Sequence, residues 1–125
     1  MPKRILLIDD EDGARRIIQF SLEAAAGWEV LTAASGIEGL GLAQTEQLDA
    51  ILLDVMMPDL DGPATFKRLQ ENPTSRSIPV ILLTAKASPT EHQPLAALGI
   101  AGIITKPFKI PALIAQIRAI LDWQD

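Results

Sequence analysis

Apolar residues along this chain alternate between two rhythms. The blocks ILLIDDED (5–12), EVLTAASG (29–36), ILLDVMMPDLDG (51–62), IPVILLTA (78–85) and AGIITKPF (101–108) open on short apolar runs and end on polar residues, the pattern of strands buried in a parallel sheet. Between them the spacing is helical. Ala14, Ile17, Ile18 and Leu22 predict one apolar stripe on a first helix that Gly27 can end. Ser35-Gly36-Ile37-Glu38 reads as a capping box for a short second helix carrying Leu40 and Ala43 and weakened by Gly39 and Gly41. Pro63, after Asp61 or Gly62, suits the first position of a third helix whose Phe66 and Leu69 face inward. Pro89 and Pro94 both fall where a fourth helix is expected. That helix should be short, kinked or late to start, with Thr90 and Gln93 as a competing capping box. Leu113, Ile114, Ile117, Ile120 and Leu121 predict a fifth helix, with Gln116 and Arg118 opposite.

Strands that alternate with helices throughout imply an α/β fold, a parallel (βα)5 sheet covered on both faces, and one domain over residues 1–125. In such a sheet the last side chain of each strand faces the crevice at the carboxyl edge, so Asp9, Asp10, Asp54, Thr84 and Lys106 should converge there. Three carboxylates, a hydroxyl and an ammonium form a site for Mg²⁺ and a phosphoryl group. A carboxylate that attacks phosphorus must approach other anions, so the barrier is mostly repulsion and positioning. Mg²⁺ prefers one or two carboxylates, waters and phosphoryl oxygens, which suits Asp10 and Asp54 as direct ligands and Asp9 through water. Lys106 brings a point charge to the same oxygens, and Thr84 can donate a hydrogen bond to one. Pro107 holds Lys106 extended, with its amine toward the crevice.

Composition narrows the function further. A formal net charge of −5 with no basic cluster argues against direct contact with nucleic acid. The absence of cysteine removes disulfides and thiolate zinc sites. The apolar run after Lys3 and Arg4 is too short for a leader or membrane span, so a cytoplasmic location is expected. Glu11 and Asp12 also suit plain helix N-caps, and His92 a surface position. Met56 and Met57 read as loop and core packing, Trp28 and Trp123 as packing at the domain edge.

Five separated motifs in this order resemble the response-regulator receiver domain over essentially the whole chain, similar to the single-domain chemotaxis regulator. The resemblance implies a flavodoxin-like, doubly wound sheet with strand order 2-1-3-4-5. It implies Asp54 as phosphoacceptor, Asp9 and Asp10 as the acidic pair, Thr84 as the switch hydroxyl and Lys106 as the characteristic lysine. It adds the backbone carbonyl of Met56 as a third protein ligand of Mg²⁺ and a cis Lys106-Pro107 bond. The implied partner is a sensor histidine kinase or His phosphotransfer protein, with output through the fourth helix, fifth strand and fifth helix to a downstream protein. The chain departs from the family pattern at Ile103, where an aromatic switch residue is usual. Met56 and Lys86 flank the pocket and are expected to set how long the phosphoryl group lasts. The proline-bearing segment 85–93 is the expected two-state element. Two other readings remain: a small aspartyl-nucleophile phosphatase or phosphotransferase, and a flavodoxin-like binding module. The first, if it resembled haloacid dehalogenases, would carry a D-x-D motif on the first strand. The second would carry a glycine-rich phosphate loop where Asp9–Asp12 stand.

Overall fold

The computed structural model describes residues 2–85 and 89–124, without the side chains of residues 89–92. Lys86, the imidazole of His92 and much of the proposed switch segment therefore lie outside the described residues. The element order is β1 Arg4–Ile8, α1 Asp12–Ala26, β2 Glu29–Ala33, α2 Gly36–Thr45, β3 Ala50–Asp54, α3 Gly62–Glu71, β4 Val80–Thr84, α4 Pro89–Ala96, β5 Gly102–Thr105 and α5 Ile110–Leu121. All strand pairs are parallel, in the order β2-β1-β3-β4-β5.

Strand pleating sorts the core into two layers, because successive side chains point to opposite faces. Ile5, Leu7, Leu52, Ile81, Leu83 and Ile104 meet Ile18 and Leu22 of α1 and Leu113, Ile114 and Ile117 of α5. Leu6, Ile8, Ile51, Leu53, Val80 and Leu82 meet Ala43 of α2 and Phe66 and Leu69 of α3. The three central strands are nearly continuous in apolar residues because each face has its own helical layer.

Helix boundaries follow the local chemistry, with some shifts from the sequence expectation. Gly27 ends α1 in the left-handed region at φ 73°, its N–H on the Glu23 carbonyl. Ser35 Oγ accepts the Glu38 N–H at 3.1 Å, but the return bond from Glu38 goes to the Ala34 N–H, one residue earlier than a standard capping box. Asp61 caps α3 through the Ala64 N–H at 2.9 Å, and Pro63 sits second in the helix behind Gly62. Glu11 occupies the N-cap position of α1, yet its side chain makes no capping bond. Helix α4 has only eight residues, in keeping with Pro94 inside it, and it starts at Pro89, which leaves Thr90 within the helix and not at a cap. Ile17 departs from the expected buried stripe: it is 64% exposed and lies beside Phe20, which is 72% exposed.

Trp28 is buried below β2 with Trp123 edge-on at 5.4 Å, and the Arg118 guanidinium lies 5.5 Å from the Trp28 ring centre. Both indoles sit at the amino end of the sheet. Tryptophan emission therefore follows global unfolding and not events at the opposite, carboxyl edge.

Candidate functional site

The parallel ladders carry on one residue past several strands, and this sets the site. Asp9 N–H bonds to the Ala33 carbonyl at 3.1 Å, Val55 N–H to Leu83 at 3.0 Å and Lys106 N–H to Thr84 at 2.7 Å. Ile8 pairs with Leu53 and Asp54 with Leu83, so Asp9 and Asp54 stand side by side on adjacent central strands. Asp9, Asp54 and Lys106 also continue the alternation of Leu7, Leu52 and Ile104, which turns all three toward the α1/α5 face. Thr84 has the opposite parity and continues that of Leu82.

The geometry of the cluster is tight. Carboxylate oxygens of Asp9, Asp10 and Asp54 all lie within 4.8 Å of one another. Lys106 Nζ is 3.2 Å from Asp54 Oδ1 and 3.9 Å from Asp9 Oδ2. Asp9 is 1% exposed and Asp54 is buried, whereas Asp10 faces solvent. Asp9 Oδ1 accepts the Glu11 N–H at 2.9 Å, while Asp9 Oδ2 is buried with no hydrogen-bond partner among the described residues. Asp54 Oδ1 also takes a long bond of 3.4 Å from the Met56 N–H. Burial pushes the Asp54 carboxyl above the ordinary carboxylate range, against the pull of the Lys106 ammonium, and the Asp9 charge adds to the upward push. A cleft of about 610 Å³ opens over these groups, lined by Asp10, Glu11, Asp54, Met56, Ala85 and Lys106.

The structure thus brings together four of the five residues expected at the crevice, Asp9, Asp10, Asp54 and Lys106, with Thr84 buried at the adjoining end of β4. Met57 is core, as expected, and Met56 is 67% exposed at the cleft mouth. The Lys106-Pro107 bond is cis. The donor set suits a small hard dication: it is all oxygen, it carries excess negative charge, and its buried Asp9 Oδ2 has no hydrogen-bond partner among the described residues. Sequence reasoning missed Arg15. Its side chain is 14% exposed, it donates to the Asp9 carbonyl at 2.8 Å, and it pairs with Asp12.

Known proteins share this sequence pattern and fold. The family model for the response regulator receiver domain matches residues 5–118. The alkaline phosphatase synthesis transcriptional regulatory protein PhoP of Bacillus subtilis is 39% identical over 97% of this chain and 49% of its own length. The DNA-binding dual master transcriptional regulator RpaA of Synechocystis is 36% identical over 98% of this chain and 50% of its own. The chain spans about half the length of these relatives. Among solved structures, the chemotaxis response regulator CheY4 of Vibrio cholerae superposes with a TM-score of 0.89 at 32% identity, covering 96% of this chain and 99% of that one. The receiver domain of the sensor histidine kinase PA1611 from Pseudomonas aeruginosa reaches 0.86 at 28% identity, covering 98% and 99%, and holds a magnesium ion coordinated in its active site cleft.

Proposed function

The chain belongs to the response regulator receiver domain family of two-component signalling proteins, and from that premise we propose that Asp54 accepts a phosphoryl group from a phosphohistidine donor. The observation that carries this reading is the position of Asp54 Oδ1: buried at a strand end, 3.2 Å from Lys106 Nζ and inside an acidic triad at the base of an open cleft. A carboxylate oxygen of Asp54 forms the new P–O bond as the P–N bond of the donor breaks and its electron pair returns to the donor imidazole. Lys106 meets the negative charge of the phosphoryl oxygens, and the Thr84 hydroxyl donates to one of them after transfer. Asp9, Asp10, Asp54 and the Met56 carbonyl would hold Mg²⁺, which when bound offsets the repulsion between the carboxylates and the incoming phosphoryl group. The role is that of a signalling phosphoacceptor, and any catalysis is confined to its own phosphorylation and dephosphorylation.

The donor approaches over α1 and the segment after β5. Ile17 and Phe20 are exposed there, and a second cleft of about 680 Å³, lined by Ile17, Ile18, Pro107, Phe108 and Ile110, shares Glu11 and Lys106 with the phosphoryl cleft. A helical phosphotransfer protein that covers this apolar surface brings its histidine to the mouth of the site. Output passes through a protein partner on α4, β5 and α5. Among the described residues no helix is long and apolar enough to cross a membrane.

The test is mass spectrometry after incubation of the native chain with acetyl phosphate and Mg²⁺. One added phosphoryl group, labile to hydroxylamine and mapped to the peptide holding Asp54, is the expected result; no addition, or addition elsewhere, overturns the reading. Thermal unfolding gives a companion prediction. Mg²⁺ should raise the melting temperature, by the equivalent of about 2.7 kcal/mol at one hundred times its dissociation constant, and Asp10→Asn should lose most of that response. An unchanged curve at millimolar Mg²⁺ would remove the ligand set.

Lifetime offers a third expectation. Met56 lines the cleft but cannot orient a hydrolytic water by hydrogen bonding, so the acyl phosphate should be comparatively long-lived. Met56→Asn should shorten its half-life several-fold, read as loss of the phosphorylated mass with time. An equal or longer half-life excludes Met56 from control of hydrolysis.

A further inference from the structure

The guanidinium of Arg15 sits where helix electrostatics do not favour it. Arg15 lies in the first turn of α1, whose N-terminus carries the positive end of the helix dipole. An i,i+3 pair with exposed Asp12 contributes little on a helix surface. Yet the side chain is 14% exposed and turns back from the helix to donate Nη1 to the Asp9 carbonyl at 2.8 Å. With that contact the loop after β1 is held at successive points. Asp9 N–H is bonded to Ala33, Asp9 Oδ1 to the Glu11 N–H, the Asp9 carbonyl to Arg15, and Asp12 to the other arm of the same guanidinium.

A peptide unit is planar, so a hydrogen bond that fixes the Asp9 carbonyl also fixes the amide and Cα of Asp10. This matters because the Asp10 carboxylate is exposed and makes no hydrogen bond among the described residues that would hold it otherwise. We propose that Arg15 is a positioning residue for the acidic pair: its guanidinium sets the Asp9–Asp10 peptide so that both carboxylates face the cleft, and through them it raises affinity for a divalent cation. The proposal rests on the reading of the triad as a Mg²⁺ site.

Charge and position give opposite signs, which makes the role testable. Removal of a cation beside three carboxylates would, by electrostatics alone, tighten a dication. Loss of an outer hydrogen bond that orients ligands weakens it, by about tenfold or more. The experiment is Mg²⁺ titration by calorimetry of the native chain, Arg15→Gln, Arg15→Lys and Arg16→Gln. Arg16 is the exposed neighbour of equal charge. The expected result is a loss of about tenfold or more in Arg15→Gln, a smaller loss in Arg15→Lys, which keeps the charge without the planar fork, and equal or tighter binding in Arg16→Gln. Metal-free melting temperatures of the variants should stay within a few degrees of native. Equal or tighter binding in Arg15→Gln overturns the proposal. Should that variant fail to fold, native affinity in Arg15→Lys overturns it on the same scale. A native chain that binds no Mg²⁺ overturns the metal reading beneath it, and the proposal with it.

Discussion

Replacement of Asp54 by asparagine is expected to reduce phosphoryl incorporation to background while making the metal-free fold more stable at neutral pH. The first effect follows from the loss of the nucleophilic oxygen pair that no neighbour can replace: Asp10 is solvated and Asp9 lies deeper, 3.9 Å from the lysine. The second follows from linkage. Burial first, and the Asp9 charge in addition, hold the folded-state pKa of Asp54 above its unfolded value, although Lys106 pulls the other way. An acid of this kind binds more protons folded than unfolded between the two values, so its contribution to stability is fully present below the ordinary carboxylate range and is lost as pH rises through the raised folded value. Above that raised value the native chain carries a buried negative charge that Asp54→Asn removes. Thermal unfolding across pH should show the variant ahead at pH 7 and the two curves converging as pH falls below the ordinary carboxylate range. Mg²⁺, which is expected to stabilise the native chain, should do little for the variant. A variant less stable than native at pH 7 would show that the Lys106 contact outweighs burial.

The sheet and most of the site were legible because both are properties of strand ends. A buried strand announces itself by unbroken apolar residues, and the first polar residue after the run marks the carboxyl edge; Asp9, Asp54 and Thr84 are each found that way, and Lys106 follows Thr105, the first polar residue at the end of the fifth run. What periodicity could not fix was rotation about a helix axis. Ile17 is about 100° round α1 from Ile18, and with two neighbouring apolar residues the stripe can be phased on either one. Packing on the sheet chose Ile18 and Leu22, leaving Ile17 with Phe20 outside. Arg15 was invisible for a different reason. Its acceptor is a main-chain carbonyl, which every residue possesses, so no side-chain pattern could signal the contact. The capping box that slipped to Ala34 belongs to the same class.

Two glycine substitutions should move stability in opposite directions, and the difference is set by what a Cβ would meet. Gly62 begins α3 directly behind the loop after Asp54, its N–H bonded to the Val55 carbonyl at 2.9 Å. A Cβ there would stand 2.6 Å from the Asp54 carbonyl oxygen and 2.7 Å from the Val55 Cα, both main-chain atoms with no rotamer to yield. The backbone after Asp54 must then move. Gly62→Ala should lower stability by about 1–3 kcal/mol, as overpacking of a close contact does. It should also slow phosphoryl uptake, because Asp54 and the Met56 carbonyl ride on the displaced segment. Gly41 lies inside α2, exposed, with nothing within 4 Å of a Cβ. There alanine only relieves the entropic cost of glycine in a helix, so Gly41→Ala should gain roughly 0.5–1 kcal/mol with phosphorylation unchanged. Urea unfolding of the two variants, followed by tryptophan emission from the far end of the sheet, measures both signs in one assay. A stable Gly62→Ala with native phosphoryl uptake would mean that the loop behind Asp54 has slack, and that the tight turn there does not hold the Asp54 carboxylate in place.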